Sequence, residues 1–310
     1  MTYQVKALGI NTNSRAELND LYGGVVNETL NLERNFYNSI SKVANTSDRY
    51  GFRVRTAANP TADSYAELDV IGTGNATRQR HYAAMKLVKV GVEVSGLEIA
   101  SAAGGGGIGD IWAEEMRVAA EDFAVELDEQ LTAGAAPASS NDMTGIQYLI
   151  DSTGAYFDVA DRAASGYEWA VANEDNTAED LSISRMRSMI KTNVVDGANL
   201  SNLVFWTHPT QADKYKDLIQ DLQRTVPVSG RVGYEGVMSL DGIPIMTDIR
   251  ITESELYCLD MGTMKLAVLQ PPTIEALPEP KDARAAFIKM YAQAICTLPK
   301  VNYKKTALTT

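Results

Sequence analysis

Within AAFIKMYAQAICTLPK, residues 285–300, every second position from Ile288 to Leu298 is apolar: Ile288, Met290, Ala292, Ala294, Cys296 and Leu298. The intervening positions mix Phe287, Lys289, Tyr291, Gln293, Ile295 and Thr297. A two-residue period predicts a strand with one buried face. Such a strand would extend about 40 Å at about 3.3 Å per residue, roughly twice the usual length. Ile288, Tyr291, Ala292 and Ile295 also share a helical face, so periodicity alone leaves helix open.

Elsewhere the period is clearer. In IWAEEMRVAAEDFAVELDEQLTAG, residues 111–134, the positions Trp112, Met116, Ala119, Phe123, Leu127 and Leu131 form one apolar stripe, with acids over the rest. Asp110 can cap the start of this helix and Gly134 can end it. Over residues 14–44, Ser14 and Glu17 match a capping box, and Leu18, Leu21, Tyr22, Val25 and Val26 continue a helical stripe, predicting an amphipathic arm that needs a partner surface. From 49 to 94 the pattern turns strand-like, in RYGFRVRTAANP and MKLVKVGVEVSGLEI, joined through the Gly, Thr and Asn-rich IGTGNATRQR. This reads as a long two-stranded excursion with a polar tip. AAPASSNDMTG, residues 135–145, is a small-residue linker. Beyond it LSISRMRSMIKTNVV reads as helix, NLVFWTHP as a short buried strand, and TQADKYKDLIQDL as a helix capped by Thr210. EGVMSLDGIPIMTD and ELYCLDMGTMKLAVL supply further strands, so the second half of the chain is a mixed α/β subdomain.

Composition narrows the function classes. A chain of 310 residues, 45% hydrophobic and 22% charged, can bury a large core. Its net charge of -12 argues against a protein whose main task is to grip nucleic acid phosphates, though not against one that encloses them. No apolar run is long enough to span a bilayer and the start lacks the regions of a signal peptide, so no membrane partner is expected and synthesis is expected in the cytoplasm. The only two cysteines, Cys258 and Cys296, lie in apolar surroundings and are expected as buried thiols.

The order of elements resembles the major capsid protein of tailed double-stranded DNA viruses, with its Hong Kong 97 type fold, which encapsulin nanocompartments share. NLVFWTHPTQADKYKDLIQD is similar to the family's strand, His-Pro corner and helix. GVMSLDGIPIMTD resembles its L-x-G-x-P-V element, where Gly242 and Pro244 would shape a turn, and Asp260, Met261 and Gly262 resemble its GD-like corner. DARAAFIKMYAQAICTLPKVNYKK resembles the final strand with its basic-Pro corner at Pro299, although Leu298 stands where the family often has Arg. The resemblance implies an α+β fold with an N-terminal arm (1–48), an extended loop (49–100), a peripheral domain with a long spine helix (101–140), an axial α/β domain (141–270) and a return to the peripheral domain (271–310). It resolves residues 285–300 as the long terminal strand beside the spine helix. It implies hexamers and pentamers of this chain closing into an icosahedral shell around viral DNA contacted non-specifically, in a virion assembled in the host cytoplasm. Portal, separate scaffolding and decoration proteins are the further partners it implies. An encapsulin with protein cargo is the alternative.

Charge adds a check that owes nothing to the family. Between 49 and 89 there are seven bases against Asp63, Glu67 and Asp69, a balance of +4; between 110 and 131 there are eight acids against Arg117, a balance of -7. These are complementary surfaces or two solvated faces. In the shells of the resembled family the extended loop lies over a neighbouring subunit, which implies an interface of Arg53, Arg55, Arg78 and Arg80 with Glu114, Glu115, Glu121, Asp122 and Glu126. Covalent cross-linking, known in some family members, needs a loop Lys, a partner Asn and a Glu; the loop tip has no Lys, so a non-covalent shell is expected.

Chemistry is otherwise sparse. AAGGGGIGD lacks the Lys-Ser/Thr of a phosphate loop and reads as a joint before the helix. His81 and His208 are far apart and not at metal-ligand spacing with a cysteine, and His208 before Pro209 reads as a structural corner. NEDNTAED, residues 173–180, is expected as a solvated loop, with cation binding as its alternative. No catalytic motif stands out, so neither an enzyme nor a cofactor is expected.

Overall fold

The terminal strand sits at the centre of the molecule. The structure, a computed structural model, describes residues 35–68, 70–103, 111–134, 141–223, 238–277 and 282–309. The elements in chain order are α1 (Asn35–Ser39), β1 (Ser41–Ala44), β2 (Arg49–Ala57), β3 (Thr77–Ala84), β4 (Lys86–Ser95), α2 (Gly96–Ala103), α3 (Ile111–Thr132) and α4 (Ile146–Leu149). After an irregular stretch come β5 (Asn173–Asp175), α5 (Ile183–Val195), β6 (Leu203–Thr207), α6 (Pro209–Gln223), β7 (Ser239–Leu240), β8 (Ile243–Thr247), β9 (Leu256–Asp260), β10 (Met264–Leu277), β11 (Ala283–Cys296) and β12 (Tyr303–Lys305). The arm helix with its Ser14 cap, the Gly-rich joint over 104–109, the Asp110 cap and residues 135–140 of the linker lie outside the described residues.

Strand β11 pairs antiparallel with β10 on one side and β4 on the other, and β1 completes a four-stranded sheet of order β1-β10-β11-β4. Ile288, Met290, Ala292, Ala294 and Cys296 are all buried, as the alternation requires; Gln293 and Ile295 are buried too, so both faces are covered toward the end of the strand. The strand stops at Cys296 because Pro299 opens a 3₁₀ turn over Pro299–Val301. Helix α3 buries Ala119, Phe123, Leu127 and Leu131 against this sheet, the stripe its sequence shows.

The second sheet has the order β5-β12-β9-β6-β8-β7 and is covered on both faces. In β6 the neighbours Phe205 and Trp206 point to opposite sides, Phe205 into a core with Met186, Met189 and Tyr215, and Trp206 into the main core, where Phe36 meets it edge-on at 5.2 Å. Strand β9 is buried at every position, and Leu256 to Leu259 form the continuous apolar run expected of a strand with two covered faces. Asp241 and Gly242 have φ of 52° and 86°, the pair of positive angles that a two-residue hairpin turn between β7 and β8 needs. Gly242 therefore makes the turn, whereas Pro244 lies one residue beyond it inside β8. Helix α6 starts at Pro209, not after Thr210: the backbone N–H of Thr210 donates to His208 Nδ1 at 3.2 Å, so His208 is the cap and Pro209 the first helical residue.

Three readings of the 49–100 region change. The partner of β2 is β3, whose TRQRHYAA was split between turn and unassigned chain, while the strand expected over 85–99 leaves the ribbon and joins the β10–β11 sheet as β4. That strand ends at Ser95, where Ser95 and Glu98 exchange backbone and side-chain hydrogen bonds at 3.2 and 3.3 Å, a capping box that turns GLEI into helix α2. The ribbon that remains is anchored, with Phe52, Val54, His81 and Ala83 of its inner face buried in the main core.

Candidate assembly surfaces

The register of the ribbon places Arg53 opposite Arg80 and Arg55 opposite Arg78. Opposed residues and residues two apart share a face. Arg49, Arg53, Arg55, Arg78 and Arg80 therefore all stand on the outer face, exposed, while the alternate positions go to the core. Four of them belong to the interface expected from the sequence. Arg49 completes the ladder, and its spacing from Arg53 and Arg55 in multiples of two was the signal. From Arg49 to Arg55 the ladder runs about 20 Å at about 3.3 Å per residue. Like charges directly opposite each other are destabilising. Among the described residues Arg53 and Arg78 have no ion-pair partner, Arg55 bonds only the Ala57 carbonyl at 3.3 Å, and Arg80 lies over the Tyr82 ring at 5.1 Å.

The foot of the ribbon is held from inside. His81 Nδ1 lies 3.1 Å from Asp158 Oδ1, and Asp158 Oδ2 accepts the Tyr82 N–H at 3.3 Å. The His81 ring is boxed by Trp169, Phe52 and Tyr167 at centroid distances of 4.8, 6.0 and 6.1 Å. Asp158 belongs to the irregular 150–172 stretch, which is organised around Arg162. That side chain, 1% exposed, donates to the carbonyls of Tyr148, Ala155, Asp151 and Leu149 at 2.8 to 3.3 Å and lies over Tyr156. Burial pulls its pKa below the ordinary arginine value, and the charges of Tyr156 and Asp151 oppose that pull.

The acids expected on the spine helix separate into three groups. Glu114 and Glu121 both clamp Arg117, at 2.6 and 2.5 Å, and Glu126 accepts from Gln130 at 2.6 Å. Asp128, counted in the acidic balance, is fully buried: it accepts from Arg250 Nη1 at 3.2 Å and from the Tyr37 N–H at 3.3 Å, tying α1, the helix and the 248–255 turn together. Glu115, Asp122 and Glu129 form the third group. They are seven residues apart, exposed, and without an ion-pair partner among the described residues. At about 1.5 Å per residue this row spans about 21 Å, the length of the arginine ladder.

The stretch 173–180 is not the solvated loop expected. Asn173–Asp175 is strand β5, paired with β12, and Glu174 lies 3.8 Å from Lys304. The fully buried Lys305 reaches Glu179 at 2.9 Å and Asp175 at 3.4 Å, and Arg185 reaches the same two acids at 2.5 and 3.2 Å. The hydrogen bonds from Arg185 and Lys305 hold the Glu179 carboxyl below its usual range. Burial raises Asp175, but bonds from Thr177 and the charge of Lys305 outweigh that and leave it lowered. Protein cations fill this cluster. Both cysteines are buried thiols, each pushed up to about 12 by desolvation. Among the described residues no helix is long and apolar enough to cross a membrane.

A family model, SU10 major capsid protein, matches residues 7–293. The chain is similar in structure to the capsid asymmetric unit of cyanophage A-1(L), with a TM-score of 0.69 at 13% identity over 100% of this chain and 96% of that one. It is similar to Microbacterium phage Oxtober96, with a TM-score of 0.58 at 14% identity over 84% of each chain, and to an encapsulin complex from Synechococcus elongatus, with 0.59 at 10% identity over 89% of this chain and 88% of that one. No curated protein matches. At these identities the likeness establishes the Hong Kong 97 type fold that the order of elements implied.

Proposed function

Because the chain belongs to the SU10 major capsid protein family, we propose that it assembles through pentamers and hexamers into an icosahedral shell enclosing double-stranded viral DNA, held without covalent cross-links. The observation that carries this reading is the ribbon's arginine ladder. A ladder of like charges on an anchored ribbon destabilises the isolated subunit and becomes favourable once an anionic surface of matching length lies along it. The row of Glu115, Asp122 and Glu129 has that length, and the two do not pair within one chain. In the assembled shell Arg53, Arg55, Arg78 and Arg80 of one copy lie along the spine helix of the next. Glu114, Glu121 and Glu126, with partners on their own helix, add to the field around the row. Each exposed pair is worth only about 0 to 1 kcal/mol, so the strength comes from repetition over the shell.

The role is structural, with no catalytic group and no cofactor. The shell belongs to the virion and is assembled in the host cytoplasm, with portal, scaffolding and decoration proteins as separate partners. The lack of Lys at the ribbon tip, over 58–76, supports a non-covalent wall. Packed DNA meets a chain of net charge -12, which keeps its contacts weak and non-specific. The likeness to an encapsulin favours a second reading, a shell around protein cargo. Electron microscopy with the ratio of absorbance at 260 and 280 nm separates the two. Native particles rich in 260 nm absorbance support the DNA container, shells filled with protein support the second reading, and a stable monomer in every preparation overturns both.

A further inference from the structure

At the foot of the ribbon, beside the arginine ladder, a cleft of about 340 Å³ is lined by Arg49, Tyr82, Thr144, Phe157, Asp158 and Gln293 among others. Its floor is unusual in two respects. Thr144 and Gln293 are each 1% exposed, yet Thr144 Oγ1 and Gln293 Oε1 have no hydrogen-bond partner, although Gln293 Nε2 does, donating to the Ala294 carbonyl at 3.1 Å. Phe157, a bulky residue, holds a φ of 50° in its wall. An unpaired buried polar atom is destabilising until something reaches it. Asp158 is already engaged with His81 and Tyr82, and Arg49 is held only loosely, by the exposed Asp48 at 3.9 Å, so Arg49 and the Thr144 hydroxyl can take an acceptor and Gln293 Oε1 a donor. A carboxylate flanked by peptide N–H groups satisfies all three, and an acidic peptide segment is the ligand class with that chemistry.

The ribbon tip has this chemistry. Residues 58–76 carry Asp63 and Glu67 with Tyr65, Leu68, Val70 and Ile71, which are 66%, 97%, 96% and 65% exposed, so an acidic apolar tip crowns a basic stem. Asn59 pins the tip's two sides, donating to the Gly74 carbonyl at 2.7 Å and accepting from Thr61. The tip cannot reach the foot of its own ribbon, because β3 alone separates them by about 23 Å at about 3.3 Å per residue.

We infer that the tip of one copy, around Glu67 and Leu68, docks in the cleft at the ribbon foot of the next copy. The inference rests on the shell-forming reading and deepens it by naming where the ribbon ends. Position along the neighbour supports it. Met143, beside Thr144, donates its N–H to Gln130 in the last turn of the spine helix at 3.2 Å, so the cleft lies next to the C-terminal end of the helix whose carboxylate row would carry the ladder. A ribbon lying along Glu115, Asp122 and Glu129 with Arg55 and Arg78 leading brings its tip to that end. Glu67 then faces Arg49 and Thr144, and Leu68 covers Tyr82 and Phe157. Tip and foot are different surfaces of one chain, so the contact is head-to-tail, the kind that generates a ring when the rotation between copies closes.

The test is cross-linking between Leu68→Cys at the tip and Ala84→Cys at the mouth of the cleft, in particles assembled reduced and then oxidised. Both native thiols are buried and silent, and the two new ones are too far apart within one chain to join. The expected result is that most of the chain shifts into covalent multimers of up to five or six copies, while each single variant stays monomeric on a denaturing gel. Particles that assemble yet give no multimers overturn the docking and leave the shell reading intact; an unmodified chain that forms no particles removes both. Glu67→Arg should lower particle yield at least several-fold, and an unchanged yield also overturns the pairing.

Discussion

Replacing Arg80 by Glu should stabilise the isolated subunit and impair the shell. Arg80 stands opposite Arg53, two residues from Arg78 and diagonal to Arg55. Two exposed unit charges about 7 Å apart in water interact by about 0.6 kcal/mol. Screening at physiological salt, with a Debye length of about 8 Å, leaves about 0.25 kcal/mol. Reversing one charge turns each of three repulsions into an attraction, a gain of about 1 to 1.5 kcal/mol, from which about 0.5 is lost with the stacking of Arg80 on Tyr82. Urea unfolding of unassembled Arg80→Glu should therefore show a midpoint equal to or above that of the unmodified chain, and the difference should shrink as salt rises. In light scattering the same variant should need a higher protein concentration to assemble, because each copy in the shell now sets a carboxylate against the carboxylate row. Arg80→Gln should fall between the two in both assays. A variant that is less stable as a subunit, or that assembles as readily as the unmodified chain, would refute the reasoning that this ladder is held for a partner.

Two further outcomes follow from the buried ion pairs. Asp128→Ala leaves the Arg250 charge and the Tyr37 N–H without their acceptor, and should cost about 3 kcal/mol in urea unfolding. Asp128→Leu combined with Arg250→Met, which removes both charges of the pair, should recover much of that loss; equal loss in both would contradict the assignment. In the Asp175, Glu179, Arg185 and Lys305 network both carboxyls are lowered, so their contribution to stability is complete above the unfolded carboxylate values of about 3.9 to 4.3 and is lost as pH falls through the lower folded values. Stability measured against pH should drop on that acid side, and Lys305→Met should lower stability at neutral pH while flattening the drop. An acid limb as steep as before would count against the network.

The legible parts of this fold are those where one stripe of side chains meets one surface. Helix α3 and strand β11 announce themselves because Ala119, Phe123, Leu127 and Leu131, or Ile288 through Cys296 by twos, are apolar and buried together. Strand β3 does not, since its inward positions are Gln79, His81 and Ala83, whose burial depends on Asp158 and Trp169 from far along the chain. Asp128 misled for a related reason: it occupies the shoulder of the helical stripe beside Leu127 and Leu131, and Arg250 together with the Tyr37 N–H makes a charge tolerable there. Nothing in the sequence marks Arg162 or Lys305, yet one organises the carbonyls of an irregular stretch and the other closes an ion network. The arginine ladder was half legible. Net charge pointed to the region, but the shared face needed the β2–β3 register, and the unpartnered oxygens of Thr144 and Gln293 leave no trace in sequence.

The central claim is that copies of this chain close a shell by laying the arginine face of one ribbon on the spine helix of the next. An icosahedral reconstruction of particles assembled from the protein tests it most directly. The expected result is a closed shell of pentamers and hexamers in which Arg53, Arg55, Arg78 and Arg80 lie within ion-pair distance of Glu115, Asp122 or Glu129 of an adjacent copy. A closed shell with the arginine face turned to solvent, or no closed particle at all, would contradict it.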